Sequence, residues 1–237
     1  MAERRTIVFL HGTRLSAGQW APQVTALQQE FDCLALDLPG HGARLDEPFS
    51  LAGAAASVAD SIASVPGGRA IVVGLSLGGY VAMDLAARWP DRVAGLVLAG
   101  ATAEPVGPRA LPYHALALAL TTLPPTALDR LNAWFFRARY PPSIAGPIIA
   151  GGFAFRTGGE AVRAIIGERF RPRLARYPGR TLILNGEFDL LFRLSERSFA
   201  EVAADPRRVV LRRATHLTNL DQPEAFTAAV RRFVEGL

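Results

Sequence analysis

Ser76 stands in the run Gly74-Leu75-Ser76-Leu77-Gly78, at the end of an apolar, β-branched stretch over residues 70–74 and ahead of a helix-forming one. On so tight a strand-to-helix turn a serine keeps its hydroxyl exposed, and glycine two positions before and after lets the neighbouring backbone close in. Ser76 is therefore the candidate nucleophile. The five-residue pattern alone also fits a glycine-rich strand end without chemistry, and the flanking strand and helix signals decide for the turn. A serine hydroxyl attacks well only when a base takes its proton. Of the four histidines, His11, His41, His114 and His216, the last follows a strand-like run over 208–213 and precedes an amphipathic helix beginning near Pro223. A carboxylate able to orient it is Asp189, behind the β-type run 181–184 and the turn Asn185-Gly186-Glu187-Phe188. The chain order Ser, Asp, His is a complete set for acyl transfer.

The elements that must position these residues alternate. Strands are predicted over 6–10, 33–37, 70–74, 93–99, 181–185 and 208–213, and helices over 21–29, 51–64, 77–88, 194–202 and 223–234. Such β-then-helix alternation argues for an α/β fold with a mostly parallel sheet of about six strands covered on both faces. Between Gly100 and Pro178 the rhythm breaks into Ala, Leu, Pro and aromatic residues, and eight prolines from Pro105 to Pro147 would chop the segment into short helices.

The composition fits one large core: 237 residues, half of them hydrophobic, with no uninterrupted apolar run of 18 or more. No membrane span is expected, and the opening Met1-Ala-Glu-Arg-Arg5 leaves no room for the apolar core of a secretory leader, so a cytoplasmic location is the expectation. Cys33 is alone and reads as a small buried hydrophobe. All 26 basic residues are arginine, which excludes Schiff-base chemistry on lysine, and the net charge is +5. They form no aromatic-interleaved basic motif, so nucleic acid is not implied. A cluster at Arg163, Arg169, Arg171, Arg173, Arg176 and Arg180 is either a solvated face or a lure for anionic substrates.

Five motifs in order, Phe9-Leu10-His11-Gly12, Asp37-Leu-Pro-Gly-His-Gly42, the serine turn, Gly186-x-x-Asp189 and His216 with Asn219 and Gln222-Pro-Glu-Ala-Phe226, resemble the α/β-hydrolase superfamily over nearly the whole chain. The resemblance implies Ser76 as nucleophile, His216 as general base and acid, and Asp189 as the group that fixes the imidazole. It implies a backbone oxyanion hole from the N–H groups of Leu77 and Thr13. It implies that residues 101–178 form a helical cap after the fourth strand, over a core of 1–100 and 179–237. The relatives' pair of strands ahead of the His-Gly loop has no counterpart here. Glu187 is the rival to Asp189, Asp221 is expected to cap the helix before Pro223, and His11 and His41 match structural histidines. His114 is expected partly buried or lining a pocket. Thr215 stands where relatives usually carry glycine.

Trp20, Tyr113, Trp134, Phe135, Phe136, Phe153 and Phe155 are the candidates for an apolar acyl or alcohol pocket, against the alternative that each packs the cap onto the core. The expected reaction is hydrolysis of small to medium hydrophobic carboxylic esters through an acyl-enzyme, with no cofactor and no metal, the partner being a small-molecule ester or lactone. On the same triad, a lactonase resembling the enol-lactone hydrolases around 214–226, a carbon–carbon hydrolase, a perhydrolase or a menaquinone-pathway lyase stays open. So does a non-catalytic ligand receptor. Epoxide hydrolases and haloalkane dehalogenases, with aspartate at the nucleophile position, and hydroxynitrile lyases, with a lysine in the site, do not fit.

Overall fold

Alternate residues of the strands face opposite sides, and here both sides are apolar. Val8, Leu10, Val72, Leu96 and Leu98 point into one core, while Ile7, Phe9, Ile71, Val73, Val97 and Ala99 point into the other. Strands apolar on both faces suit a parallel sheet sandwiched between helices. The computed structural model describes residues 4–237, and residues 1–3, assigned above to the start of the core, lie outside the described residues. Its strands are β1 (Thr6–Leu10), β2 (Asp32–Leu36), β3 (Ala70–Leu75), β4 (Val93–Ala99), β5 (Arg180–Gly186) and β6 (Asp205–Leu211). They pair in the order β2-β1-β3-β4-β5-β6, every pair parallel. This is an α/β-hydrolase sheet of six strands flanked by helices.

The helices are α1 (Ala21–Leu27), α2 (Leu51–Ala63), α3 (Leu77–Arg88), α4 (Leu111–Thr122), α5 (Pro125–Arg139), α6 (Pro142–Ala150), α7 (Phe155–Ile165), α8 (Arg171–Leu174), α9 (Leu190–Arg193), α10 (Glu196–Ala200), α11 (Thr218–Asp221) and α12 (Pro223–Glu235). One core takes α2 and α3 through Val58, Ile62, Val81 and Leu85; the other takes α1 and α12 through Leu27, Phe226, Val230 and Phe233. Helices α4 to α8 lie between β4 and β5, and a smaller core of Leu15, Phe136, Tyr140, Ile144, Ile148 and Leu220 ties α5 and α6 to the main body. Among the described residues no helix is long and apolar enough to cross a membrane.

Two predicted elements shift. The last strand is 205–211 rather than 208–213, because its pairing with β5 ends at Gly186↔Leu211 and Arg213 takes a left-handed φ of 56°. The helix expected over 194–202 is the shorter α10, and an unexpected short helix, α9, precedes it, starting directly after Asp189. The chain runs from β1 outward to β2 and then returns to the other side of β1 with β3. At such a switch point the loops after neighbouring strands diverge and leave a crevice at the strands' carboxyl ends.

The loop after β1 is braced by His11, which is fully buried. Its Nδ1 lies 2.9 Å from the Gly12 carbonyl and its Nε2 accepts from the Leu38 amide at 3.0 Å. A neutral imidazole protonated on Nδ1 satisfies both contacts. Burial, and then His41 with its ring centroid 5.0 Å away, push the His11 pKa down to about 3. An unfolded chain takes up this proton near pH 6.5, so the folded state loses stability as pH falls from there towards 3. The slope is up to roughly 1.4 kcal/mol per pH unit for one group, and His41, also lowered by burial, adds in the same direction. Urea unfolding of His11→Gln should show a shallower loss between pH 7 and 4 than the parent; equal slopes would assign the acid sensitivity elsewhere.

Candidate active site

Strand β3 ends at Leu75, and α3 begins at Leu77, so Ser76 makes the whole turn, at φ 54° and ψ −115°. A non-glycine residue held there costs on the order of 1–3 kcal/mol. The surrounding backbone fixes it: the Ser76 amide donates to the Ala99 carbonyl (2.8 Å), and its own carbonyl accepts from Gly79 (2.9 Å) and Tyr80 (3.2 Å). Gly78 donates to His11 O at 3.0 Å, and a Cβ on Gly78 would collide with the Leu10 carbonyl. Closeness of the helix start to the end of β1 is thus what glycine permits there.

Asp189 follows the β5 turn, its amide donating to Gly186 O at 3.1 Å, and its buried carboxylate meets His216 Nδ1 at 2.9 Å. With Nδ1–H donating, Nε2 keeps its lone pair. The Phe192 ring stacks on the imidazole at 4.9 Å and 18°. On another side lies Gly100, at φ +51°, where a Cβ would stand 2.8 Å from the imidazole and 3.1 Å from Asp189 Oδ2. The Gly100 amide donates to Asn185 Oδ1 (3.1 Å), and Asn185 Nδ2 reaches Thr102 Oγ1 and Glu196 Oε2. Phe192 and Gly100 had no signal in the sequence, since neither belongs to a local motif.

Ser76, Asp189 and His216 line one cavity of about 280 Å³, together with Thr13, Leu77, Tyr80, Pro112, Tyr113, Leu116, Val162, Ile165, Leu191 and Phe192. Helix α4 supplies Pro112, Tyr113 and Leu116, and α7 supplies Val162 and Ile165. Thr13 and Leu77 border the cavity, and the amide of neither donates a backbone hydrogen bond among the described residues. The Thr13 loop is held from below by a buried carboxamide network. Gln19 Oε1 accepts from the Gly12 amide (2.9 Å), Gln19 Nε2 donates to Asn219 Oδ1 (3.2 Å), and Asn219 Nδ2 donates to Gln23 Oε1 (3.0 Å). The loop after β1 and the segment after His216 therefore share one set of hydrogen bonds. A larger groove of about 680 Å³, bordered by Arg139, Tyr140 and Asp221, contains none of Ser76, Asp189 and His216.

Of the proposed aromatic lining only Tyr113 borders the cavity that holds Ser76. Its hydroxyl meets Tyr80 Oη at 2.6 Å, and Tyr80 donates to Ala103 O. Trp20 is fully buried between Phe9 and Phe226, in the core on the other side of the sheet. Phe136 stacks with Tyr140 and Phe153 in the α5–α6 core, and Phe153 stacks in turn on Phe155. Trp134 and Phe135 face outward, Trp134 at 65% exposure, because α5 turns its Phe136 side inward. His114 is exposed on α4 rather than buried.

Glu187 and Asp221 do other work. Glu187 accepts from the Arg213 amide at 2.8 Å. Asp221 does not cap the following helix. Its Oδ2 accepts from the Thr215 amide (2.7 Å) and hydroxyl (2.5 Å), and its Oδ1 from Tyr140 Oη (2.7 Å) and Arg139 Nη2 (2.8 Å). Thr215, in place of a glycine, thereby moors the residue before His216 to the helical insert. Burial alone would raise the Asp221 carboxyl, yet bonds from Thr215 and Tyr140 hold it below the usual range. Half of the arginine cluster is tied into ion pairs: Arg171 binds Glu104, Arg173 binds Asp84 and Glu168, and Arg180 binds Asp205.

The chain matches the model of the alpha/beta hydrolase family over residues 7–229 and belongs to that family. It is similar to a pimeloyl-(acyl-carrier protein) methyl ester esterase of Neisseria meningitidis serogroup B, 29% identical over 245 residues that cover 98% of this chain and 93% of the relative. The esterase of that name from Nitrosomonas europaea is 42% identical over 97 residues, 40% of this chain and 37% of the relative. Among solved structures, an enol-lactonase from Burkholderia xenovorans LB400 superposes with a TM-score of 0.80 at 25% identity, covering 99% of this chain and 92% of that one.

Asp221→Asn leaves one oxygen for four donors, and a destabilisation of about 2–3 kcal/mol is expected from the charged bonds lost, measurable by urea unfolding. Gly100→Ala should push the imidazole off Asp189, seen as loss of the hydrogen-bonded Nδ1 proton resonance; an unchanged spectrum would remove Gly100 from the positioning of His216.

Proposed function

We propose that this chain is a serine carboxylic ester hydrolase working through an acyl-enzyme. The observation that carries the reading is the convergence on one cavity of a serine held at a positive φ, a histidine bonded through Nδ1 to a buried carboxylate, and two unbonded amides. In this mechanism Ser76 Oγ attacks the ester carbonyl carbon while His216 Nε2 takes its proton. The carbonyl oxygen, now an oxyanion, accepts from the Thr13 and Leu77 amides, a contact strongest when charge has developed there. The tetrahedral adduct collapses, the alcohol leaves with the proton from His216, and water deprotonated by the same imidazole releases the acid. Asp189 holds the tautomer and favours the imidazolium that forms transiently.

The reading takes residues 101–178 as a cap over a hydrolase core of 1–100 and 179–237. Small to medium hydrophobic acyl groups fit the cavity's size and its lining by Leu77, Leu116, Val162, Ile165 and Phe192. The esterase relatives favour the same chemistry. A second reading, ring-opening of an enol-type lactone by the same steps, draws on the structural likeness to the enol-lactonase.

Turnover of a p-nitrophenyl ester series of increasing acyl length, beside a lactone panel, separates the two. Ester turnover peaking at a short or medium chain is expected. Ser76→Ala should lower it by roughly 10⁴–10⁶, and Asp189→Asn by somewhat less. Full activity in either variant would refute that residue's role, and fast lactone opening with slow ester turnover would favour the lactonase.

A further inference from the structure

Arg14 follows Thr13, the residue whose amide serves the proposed oxyanion hole. Arginine is seldom taken out of water without a counter-charge. Arg44, Arg173, Arg180 and Arg231, also half-buried, each have a carboxylate within hydrogen-bond range. Arg14 has none. Its Nε donates to Asn132 Oδ1 on α5 at 3.0 Å, a neutral acceptor, and its two terminal nitrogens donate to nothing among the described residues. Those nitrogens are not among the protein's enclosed unpartnered atoms, so solvent reaches them. Its basicity is lowered, and burial is the cause.

The backbone around it is held rather than loose. Arg14 has a left-handed φ of 60°, which costs a non-glycine residue on the order of 1–2 kcal/mol. Its carbonyl accepts from the Ala154 amide (2.9 Å), and Thr13 Oγ1 donates to the Gly158 carbonyl of α7 (2.9 Å). The loop is pinned under the helical insert, with an uncompensated cation one residue from the amide that would hold the acyl oxygen. A guanidinium with its outer fork free is the geometry that receives a carboxylate through two parallel bonds.

We propose that Arg14 is a specificity-determining residue that binds an ionised carboxylate on the acyl portion of the substrate, so that the preferred esters are half-esters of small dicarboxylic acids. The assignment rests on the esterase reading above. Bound substrate supplies the counter-charge that the fold withholds, and the net charge of +5 favours approach of such anions.

Monomethyl and dimethyl glutarate share one skeleton and differ by one charge, which makes them the test pair, with methanol release followed on the full chain. The parent should favour the monoester. In Arg14→Gln the ratio of kcat/KM, monoester over diester, should fall about tenfold or more through KM, with Arg14→Lys retaining part of it. A ratio the same within about twofold in parent and Arg14→Gln would overturn the proposal. Should Arg14→Gln not fold, an unchanged ratio in Arg14→Lys together with no rise in the parent's Tm on adding glutarate would overturn it equally. If the parent turns over neither these esters nor p-nitrophenyl esters, the esterase reading fails. The glutarate-induced Tm rise, lost in Arg14→Gln, then reports the carboxylate site by itself, and its absence in the parent removes that too.

Discussion

The site depends on how closely the first turn of α3 can approach the end of β1. Ser76 can stand at φ 54° only because the helix starts at the next residue and Gly78 lies against the Leu10 carbonyl. The strain, on the order of 1–3 kcal/mol, is small beside what holds the helix in place. Tyr80, Val81, Met83 and Leu85 are all fully or nearly fully buried, and each such side chain contributes about 1.5–3 kcal/mol. Burial of α3 therefore over-determines the turn. The same approach brings the loop after β1 beside the serine, so Thr13 and Leu77 border one cavity as a consequence of packing.

The second half of the site is assembled at a distance and needs more support. His216 comes from the far end of the chain, held by Asp189 at 2.9 Å, by the Phe192 ring and by the space left at Gly100. Behind it, Asp221 binds Thr215 on one oxygen and the insert residues Arg139 and Tyr140 on the other. Gln19, Gln23 and Asn219 join the segment after His216 to the loop after β1. Buried amides and carboxylates with every partner in place are costly to break singly. They add a second coupling of the two halves to the strand pairing that runs from β3 through β4 to β5.

What was legible in the sequence is what local chemistry determines. The serine turn is written in two glycines and a β-branched run, and the positions of Asp189 and His216 follow from where β5 and β6 end, so these three meet in one cavity. Strand limits were legible to within a few residues because both faces of the sheet are apolar. The cavity lining was not. Whether Trp134 or Phe136 turns inward depends on the rotation of α5 against α6, and three adjacent aromatics look alike until that packing exists. Trp20 was misplaced for a related reason: a tryptophan ahead of a helix fits a pocket or a core equally, and the sheet's second face claimed it. Asp221 lies one residue ahead of Gln222, the N-cap of α12, and only the folded insert brings Arg139 and Tyr140 to it. Gly100, Phe192 and Gln19 act through neighbours remote in sequence and leave no local pattern.

An all-arginine charge complement shapes how anions meet this surface. Guanidinium stays charged throughout the working range and binds carboxylates through a fork, so arginines near acids are absorbed into internal pairs. Asp84, almost fully buried, takes both Arg88 and Arg173, and Glu104 accepts from the Phe170 and Arg171 amides. Within the cluster over 163–180, Arg171, Arg173 and Arg180 are spent in this way, which gives those three a structural role. Against that background a half-buried guanidinium without a carboxylate is conspicuous for where it lies. Arg14 sits where the loop after β1 meets α5 and α7.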